Sequence, residues 1–397
     1  MRIAFIDQSS QMGGVEYTTL RVAQAIDKSE YSPVIICPEE GALPKLASRA
    51  GIEVHIVPIP KFHSVSFEWK NRYIANPFGF ILTAINILIA SRRIEENLRT
   101  FPTDIVVTKG LLAHFYAGIA AKRIKVPCIW YLQEEVDSKR AGGFFQFLLN
   151  IFAKHLPVKI IVDAKALVTQ LNCKNNCKGF IKVINNGVDT EEFVPFNDAE
   201  KSKAKKELRI PEERLVIGQA GRIVALKGQD VLLDAFSQIA KAYPDTHLLF
   251  VGAPLFGNLD FERRLKKQVD HHGLSDRVTF TGFLPDVRQG LAAMDVFVQA
   301  SIETDSPISI MEAMSCGLPV IVSKVNGTEE MVEQSEDGLL FDPGDSQALA
   351  GKLELLINSS KQRRLFGYAA RQSVIRNYSL ETSVAKLQDL LEEVYAN

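Results

Sequence analysis

Between residues 218 and 230 the chain reads Gly218-Gln219-Ala220-Gly221-Arg222 and then Lys227-Gly228-Gln229-Asp230, which puts glycines, two cations and the foot of a helical segment in one short stretch. Backbone N–H groups and the helix dipole converge on such a turn, so it suits an anion, and a diphosphate would fit. An ordinary strand-to-helix turn with a surface Arg and Lys has the same composition. A second stretch runs Glu303-Thr304-Asp305-Ser306-Pro307-Ile308-Ser309-Ile310-Met311-Glu312-Ala313-Met314, with Gly317-Leu318-Pro319 after it. Ser306 can cap a helix and Pro307 suits its first position, so the amides near Ile308 and Ser309 would again face an anion. Glu312 then lies about one and a half turns inside that helix. A carboxylate there cannot help to bind phosphate, but it can accept hydrogen bonds from sugar hydroxyls, as acidic residues do for ribose in dinucleotide folds. A capped amphipathic helix with an exposed Glu is the plainer alternative.

These residues need strands and helices to hold them. Arg2 to Asp7 (RIAFID) is a short apolar run closed by a polar loop with Gly13 and Gly14, and Leu20, Ala23 and Ile26 then fall at helical spacing. Strand-like apolar runs recur at 34–37, 54–57, 105–107, 126–131 and 160–162, separated by helix-length stretches. Continuous rather than alternating apolar strands predict a parallel sheet covered on both faces, so the first half is Rossmann-like. The pattern restarts at 215–218, 248–251, 278–281, 296–299 and 319–322, which predicts a second parallel sheet. The boundary is expected near residue 190, giving a first domain at 1–190 and a second at 191–379. Val384, Leu387, Leu390, Leu391 and Val394 mark one amphipathic helix within 380–397. The lysine-rich stretch 201–209 reads as a solvated helix face.

Composition bounds the function. The chain has 397 residues, 46% of them hydrophobic and 23% charged, which excludes disordered and fibrous classes. Lys+Arg is 46 and Asp+Glu 47, a formal charge of -1, so nothing in the whole-chain electrostatics favours nucleic acid. Residues 1–189 carry 23 basic and 16 acidic residues, net +7; the remainder carries 46-23=23 and 47-16=31, net -8. Five scattered cysteines argue against a disulfide framework and for a reducing compartment. Cys173 and Cys177 are spaced like half a metal site with no second half, so no metal is expected. The four-residue apolar run at the start is too short for a signal peptide, and a cytoplasmic location is expected. Apolar stretches at 78–90 and 144–153 fall short of the roughly 20 residues of a spanning helix. Both lie near basic residues (Lys70, Arg72, Arg92, Arg93; Lys139, Arg140, Lys154), the composition of a helix lying on an anionic membrane surface, while core helices of the first domain are the alternative.

Taken in order, Gly13-Gly14-Val15-Glu16, Asn185-Asn186-Gly187-Val188-Asp189, Gly221-Arg222 with Lys227-Gly228, Phe280-Thr281-Gly282-Phe283-Leu284, Glu312-Ala313-Met314 with Gly317-Leu318-Pro319, and Gly338-Leu339-Leu340 with Pro343-Gly344-Asp345 resemble glycosyltransferase family 4, the retaining nucleotide-sugar enzymes. The resemblance is strongest over 181–350. It implies a GT-B fold: two Rossmann-like parallel-sheet domains facing a central cleft, a donor-binding second domain, an acceptor-binding first domain, and a last helix that crosses back to the first. It implies that Arg222 and Lys227 neutralise the donor diphosphate and that Gly14 and the amides at Ile308 and Ser309 approach it. By the same resemblance Phe283 flanks the nucleobase through its backbone, Glu312 binds the ribose hydroxyls, and Glu303 stands near the transferred sugar. Members of the family generally need no metal, and no Asp-x-Asp stands at this site to hold one.

Two positions depart from the family pattern. Its paired acidic residues are eight apart, whereas Glu303 and Glu312 are nine apart, so either the loop bulges or Asp305 takes the role. Where many members have a His after the strand ending near Leu132, this chain has Gln133, followed by Glu134 and Glu135. A neutral amide cannot act as a base, while Glu134 can. His114 is another candidate, although a lone His in an apolar helix is more often structural. The expected activity is retaining transfer of a sugar from a UDP-sugar to a saccharide or lipid-linked saccharide, as in cell-envelope or exopolysaccharide biosynthesis, with peripheral membrane contact through the basic half. A non-catalytic nucleotide-sugar-binding protein and a GT-B nucleotide-sugar epimerase are the alternatives.

Overall fold

The computed structural model describes residues 1–69, 72–133, 144–171, 179–254, 259–303 and 308–396. The chain forms two compact units, Met1–Asn186 with Leu380–Asn397, and Gly187–Ser379. Glu134, Asp305, Ser306, Pro307, Cys173 and Cys177 fall outside the described residues.

In the first unit β1 (Arg2–Asp7), α1 (Gly14–Ala25), β2 (Ser32–Cys37), α2 (Ala42–Arg49) and β3 (Glu53–Ile56) are followed by a hairpin, β4 (Ser66–Trp69) and β5 (Arg72–Ala75). Then come α3 (Pro77–Thr100), β6 (Ile105–Lys109), α4 (Leu111–Ile124), β7 (Cys128–Leu132), α5 (Phe144–Phe152), β8 (Lys159–Val162) and β9 (Ile181–Val183). The sheet order is β3-β2-β1-β6-β7-β8-β9, parallel throughout. Along β1, Ile3 and Phe5 pack with α1 and α2, whereas Ala4 and Ile6 pack with α3, α4 and α5. That two-sided burial is why the strands read as continuous apolar runs.

The second unit contains α6 (Asp198–Glu207), β10 (Leu215–Ala220), α7 (Gln229–Ile239), β11 (Thr246–Val251), α8 (Asp260–His271), β12 (Val278–Phe280) and α9 (Arg288–Ala293). It continues through β13 (Val296–Gln299), α10 (Ile308–Ser315), β14 (Val320–Ser323), β15 (Leu339–Phe341), α11 (Ser346–Ile357) and α12 (Ser360–Asn377). Its sheet order is β12-β11-β10-β13-β14-β15, again parallel. The lysine-rich helix α6 is held by a capping box between Asn197 and Glu200, with only Ala204 and Lys205 buried. The last helix, α13 (Leu380–Tyr395), belongs to the first unit, where Leu387, Leu390 and Leu391 join the core beneath α1 and Ser383 Oγ donates to Asn185 O at 2.8 Å.

Both parallel sheets and the return of the last helix agree with the sequence reading. The short strands β9 and β15 and the β4–β5 hairpin escaped it. Helix α3 is also longer than its apolar run: its 24 residues meet the length and composition of a membrane span, with a mean hydropathy of 1.3 over the best window and 28% of that window buried. Gly79, Thr83, Ala90, Ser91, Ile94 and Leu98 make its buried face, and Thr83, Asn86 and Arg93 bond to His63 O, Lys61 O and Pro58 O. The helix is therefore seated along its length on the first unit.

Candidate active site

The order of the second sheet reverses between β10 and β13, because the chain runs outward from β10 to β12 and then from β13 to β15. Loops leaving the carboxyl ends of strands at such a point diverge and open a crevice for ligand. Arg222 and Lys227 lie in the loop after β10, and Glu303 in the loop after β13. The two loops are tied together by a backbone hydrogen bond from Ile302 N to Leu226 O at 3.0 Å. Gly228 (φ +63°) closes the first loop, where a Cβ would meet Ala300 O at 1.9 Å, so only glycine lets the loops approach.

Two buried glutamines fix the backbone beneath the cations. Gln219 Nε2 donates to Lys227 O at 2.6 Å, and Gln229 Nε2 donates to Arg222 O at 2.8 Å. Each clamp starts at one end of the loop and ends on the residue that carries a charge at the other. The Oε1 atoms of Gln219 and Gln229 are buried with no hydrogen-bond partner among the described residues, a cost the fold bears at this loop. Arg222 is exposed and Lys227 half-buried.

Glu303 is exposed, one residue past the Ile302 tie. Helix α10 begins at Ile308, and Ile308 and Ser309 are half-buried at its start. Glu312 is buried among Ile310, Met311, Ala313 and Met314 of the same helix. Phe283, in the loop after β12, is 77% exposed. Its approach is set by Gly252 N, which donates to Gly282 O at 3.0 Å. The structure thus gathers Arg222, Lys227 and Glu303 on one pair of loops, and sets Ile308, Ser309 and Glu312 on the helix that follows.

The first unit holds a second group of polar side chains at and just after the carboxyl ends of its strands. Gly14 is exposed at the start of α1, behind Gly13 as an N-cap without a side chain. Asp7 and Lys109 end β1 and β6 as direct register partners, and both are buried. Thr19 Oγ1 donates to Asp7 Oδ2 at 2.7 Å, while Asp7 Oδ1 is buried without a partner among the described residues. Lys109 Nζ donates to Thr18 Oγ1 at 2.9 Å and lies 4.5 Å from the centre of the Tyr131 ring. Half-buried Gln133 follows β7, with Nε2 at 2.6 Å from Asn186 Oδ1 and 3.1 Å from Thr18 Oγ1. Asn186 Nδ2 in turn donates to Asp163 Oδ2 at 2.9 Å.

Sequence reasoning placed Gln133 but missed Asp7, Thr18, Lys109, Asp163 and Asn186 as its surroundings. The available signal was a charged residue closing each of two apolar strands, RIAFID and IVVTK. Burial pushes the Asp7 carboxyl well above the usual aspartate range, with Glu16 adding to the shift; burial pushes Lys109 down, opposed by Asp7, Asp163 and Glu16. His114 is fully buried, hydrogen-bonded to Thr108 at 2.7 Å and stacked on Trp130, and burial pushes it down to about 3, so it stays neutral as a structural residue. Cys37, Cys128 and Cys316 are free and buried. Among the described residues no group of three or more His, Cys, Asp or Glu is arranged to hold a metal ion.

The buried Asp7 gives a pH dependence of known sign. Its folded pKa lies above its unfolded value, so between the two the folded chain keeps a proton that the unfolded chain has lost, and this group's contribution to stability falls as pH rises. Asp7→Asn should remove that decline, so that urea unfolding between pH 4.5 and 8 shows the variant gaining on the wild type by about 1–3 kcal/mol toward the alkaline end. A difference independent of pH would show that Asp7 does not titrate in that window.

Comparison with known proteins follows the same division. The family model described as Glycosyl transferases group 1 matches residues 175–373, and that described as Glycosyltransferase Family 4 matches residues 12–192. A D-inositol 3-phosphate glycosyltransferase of Corynebacterium urealyticum is 31% identical over 217 residues, 54% of this chain and 51% of the relative, so the match spans about half of that protein. A UDP-Gal:alpha-D-GlcNAc-diphosphoundecaprenol alpha-1,3-galactosyltransferase of Escherichia coli is 24% identical over 100% of this chain and 98% of its own length. The solved Anabaena protein HepE, in complex with UDP-glucose, superposes with a TM-score of 0.82 at 24% identity, over 99% of this chain and 100% of that one. That likeness shows the fold, two Rossmann-like units of the GT-B class. With one family model on the Arg222 and Lys227 unit and the other on the Gly14 and Gln133 unit, the chain belongs to the group 1 glycosyl transferases of glycosyltransferase family 4.

Proposed function

We propose that the chain is a retaining glycosyltransferase that moves a sugar from a UDP-sugar to a saccharide acceptor, carried on a lipid, in cell-envelope or exopolysaccharide synthesis. The observation that carries this reading is the pair of stitched loops that sets Arg222 and Lys227 beside Glu303 at the reversal of the second sheet. The bond from the anomeric carbon to the donor phosphate breaks, leaving an oxocarbenium-like sugar, and the electron pair stays on the departing nucleoside diphosphate. Arg222 and Lys227 stabilise that growing charge, with the amides of Ile308 and Ser309 as further donors. Glu312 binds the ribose hydroxyls, the backbone at Phe283 flanks the base, and Glu303 or Asp305 faces the transferred sugar. No metal or other cofactor enters these steps. The UDP preference draws on the E. coli relative, whose name states a UDP-Gal donor, and on HepE, solved with UDP-glucose.

Release of nucleoside diphosphate from UDP-glucose, UDP-galactose, UDP-N-acetylglucosamine and GDP-mannose, with and without acceptor saccharides, tests the activity. Arg222→Ala and Lys227→Ala should each lower kcat/KM by about 10²- to 10³-fold while leaving the unfolding midpoint in place. Unchanged turnover in either variant would remove that residue from the chemistry, and donor binding without turnover would favour a non-catalytic nucleotide-sugar-binding protein, the reading that Gln133 in place of a His allows.

The lipid side of the proposal rests on α3. Phe78, Ile81, Leu82, Ile85, Leu88 and Ile89 are all exposed, at 38 to 80%, and their spacing puts them on one face, opposite the face seated on the first unit. Six large apolar side chains in one stripe exceed the scattered exposure of an ordinary surface. Exposed Arg92, Arg93 and Lys61 adjoin the stripe, and exposed Phe147, Ile151 and Lys154 lie on or just after α5. Apolar insertion with a basic rim fits an anionic bilayer surface. The protein should float with phosphatidylglycerol vesicles at low salt and far less with phosphatidylcholine vesicles, and a Phe78→Ser/Ile85→Ser variant should lose at least about tenfold in affinity. Equal flotation of variant and wild type would rule out this face.

A further inference from the structure

We infer that Lys109 and Asp163 act as positioning residues that lock the Gln133 amide with its carbonyl oxygen presented to a sugar hydroxyl; this rests on the glycosyltransferase reading above. Two chains of hydrogen bonds reach Gln133 from opposite sides and impose the same orientation. On one side, an ionised Asp163 can only accept, so Asn186 must turn Nδ2 toward Asp163 Oδ2 (2.9 Å) and Oδ1 toward Gln133, and Gln133 must answer with Nε2 (2.6 Å). The single Tyr131 hydroxyl proton has Ile184 O at 3.2 Å and that Oδ1 at 3.4 Å in range, and the nearer carbonyl holds it.

On the other side, the Lys109 ammonium can only donate, so Thr18 Oγ1 accepts from it at 2.9 Å. The single Thr18 proton has two acceptors in range, Val15 O at 2.7 Å and Gln133 Oε1 at 3.2 Å, and the nearer carbonyl holds it. Thr18 Oγ1 therefore accepts the second Nε2 proton of Gln133, at 3.1 Å. Both amide protons are committed inward. Gln133 Oε1, 3.2 Å from Thr18 Oγ1 on a half-buried side chain, is left with no committed donor and is free to accept.

A carbonyl oxygen presented in this way takes a hydroxyl donor and repels a carboxylate or phosphate. The residue therefore selects a neutral sugar position over an anionic one. Lys109 is fully buried behind Thr18, one side chain removed from Gln133, so its effect is on which end of the amide is left to accept. The buried charges that bracket the chain, Lys109 against Asp163, keep the arrangement from inverting.

A double-mutant cycle reads this directly. With the best donor from a panel of UDP-glucose, UDP-galactose, UDP-N-acetylglucosamine and GDP-mannose, Gln133→Ala and Lys109→Met should each lower kcat/KM by about tenfold or more, and the double variant should be no worse than either. Equal further loss from Lys109→Met in the Gln133→Ala background would make Lys109 merely structural, and full activity in Gln133→Ala would overturn the hydroxyl-reading role. Thr18→Val, which keeps the volume and removes the relay, covers the case in which Lys109→Met does not fold. If no donor is turned over, the glycosyltransferase reading fails on its own, and the network is still read by hydrogen exchange of the 15N-labelled Gln133 side-chain amide. Exchange slow in the wild type and faster in Thr18→Val supports the lock; exchange equal in both contradicts it.

Discussion

One backbone hydrogen bond, Ile302 N to Leu226 O at 3.0 Å, ties together two loops that leave neighbouring strands β13 and β10 where the second sheet reverses its order. Without the tie the loops would diverge, because the segments they lead into run to opposite sides of the sheet. Its local requirements are severe. Gly228 must lack a side chain where Ala300 O comes to within 1.9 Å of a would-be Cβ, and Gln219 and Gln229 must bury an amide each to hold Lys227 O and Arg222 O. Both glutamines leave a carbonyl oxygen without a partner among the described residues, a cost that hydrophobic packing elsewhere in the unit offsets. The outcome is a rigid backbone under two accessible cations.

The first sheet reverses order between β1 and β6, and there the protein does something different with the same topology. The strand ends carry Asp7 and Lys109, paired across the register and buried. Buried charges are costly unless their neighbours are arranged to receive them. Burial shifts Asp7, held by Thr19, toward its neutral form, while Lys109 through Thr18 and Asp163 through Asn186 form a directional relay that ends at the half-buried Gln133 amide. The second unit uses neutral amides to hold the backbone of its charged residues. The first uses buried charges to hold a neutral amide.

Much of this was legible in the sequence. Uninterrupted apolar runs such as 105–107 and 248–251 mark parallel strands because both faces of each sheet are buried, and Leu387, Leu390 and Leu391 mark a helix that must find a core. Strands β9 and β15 were not legible, since Lys182 interrupts the first and the second is a short run between Asp337-Gly338 and Asp342-Pro343, which read as turns. Arg222, Lys227 and Glu312 stood out because glycines and a helix start surround them. Asp7 and Lys109 did not, because a charge at a strand end looks like the edge of a loop until the partner strand is known. The charge balance between the halves also gains meaning: the half with net -8 holds the proposed diphosphate site, so binding there depends on two local cations rather than on the field of that half.

Isothermal titration with UDP against UMP, and GDP against GMP, at two salt concentrations tests the anion cradle most directly. If Arg222 and Lys227 on their stitched loops hold a diphosphate, the diphosphate of the preferred base binds at least about tenfold more tightly than its monophosphate, and the margin narrows as salt rises. Equal affinity for diphosphate and monophosphate, unaffected by salt, would contradict it.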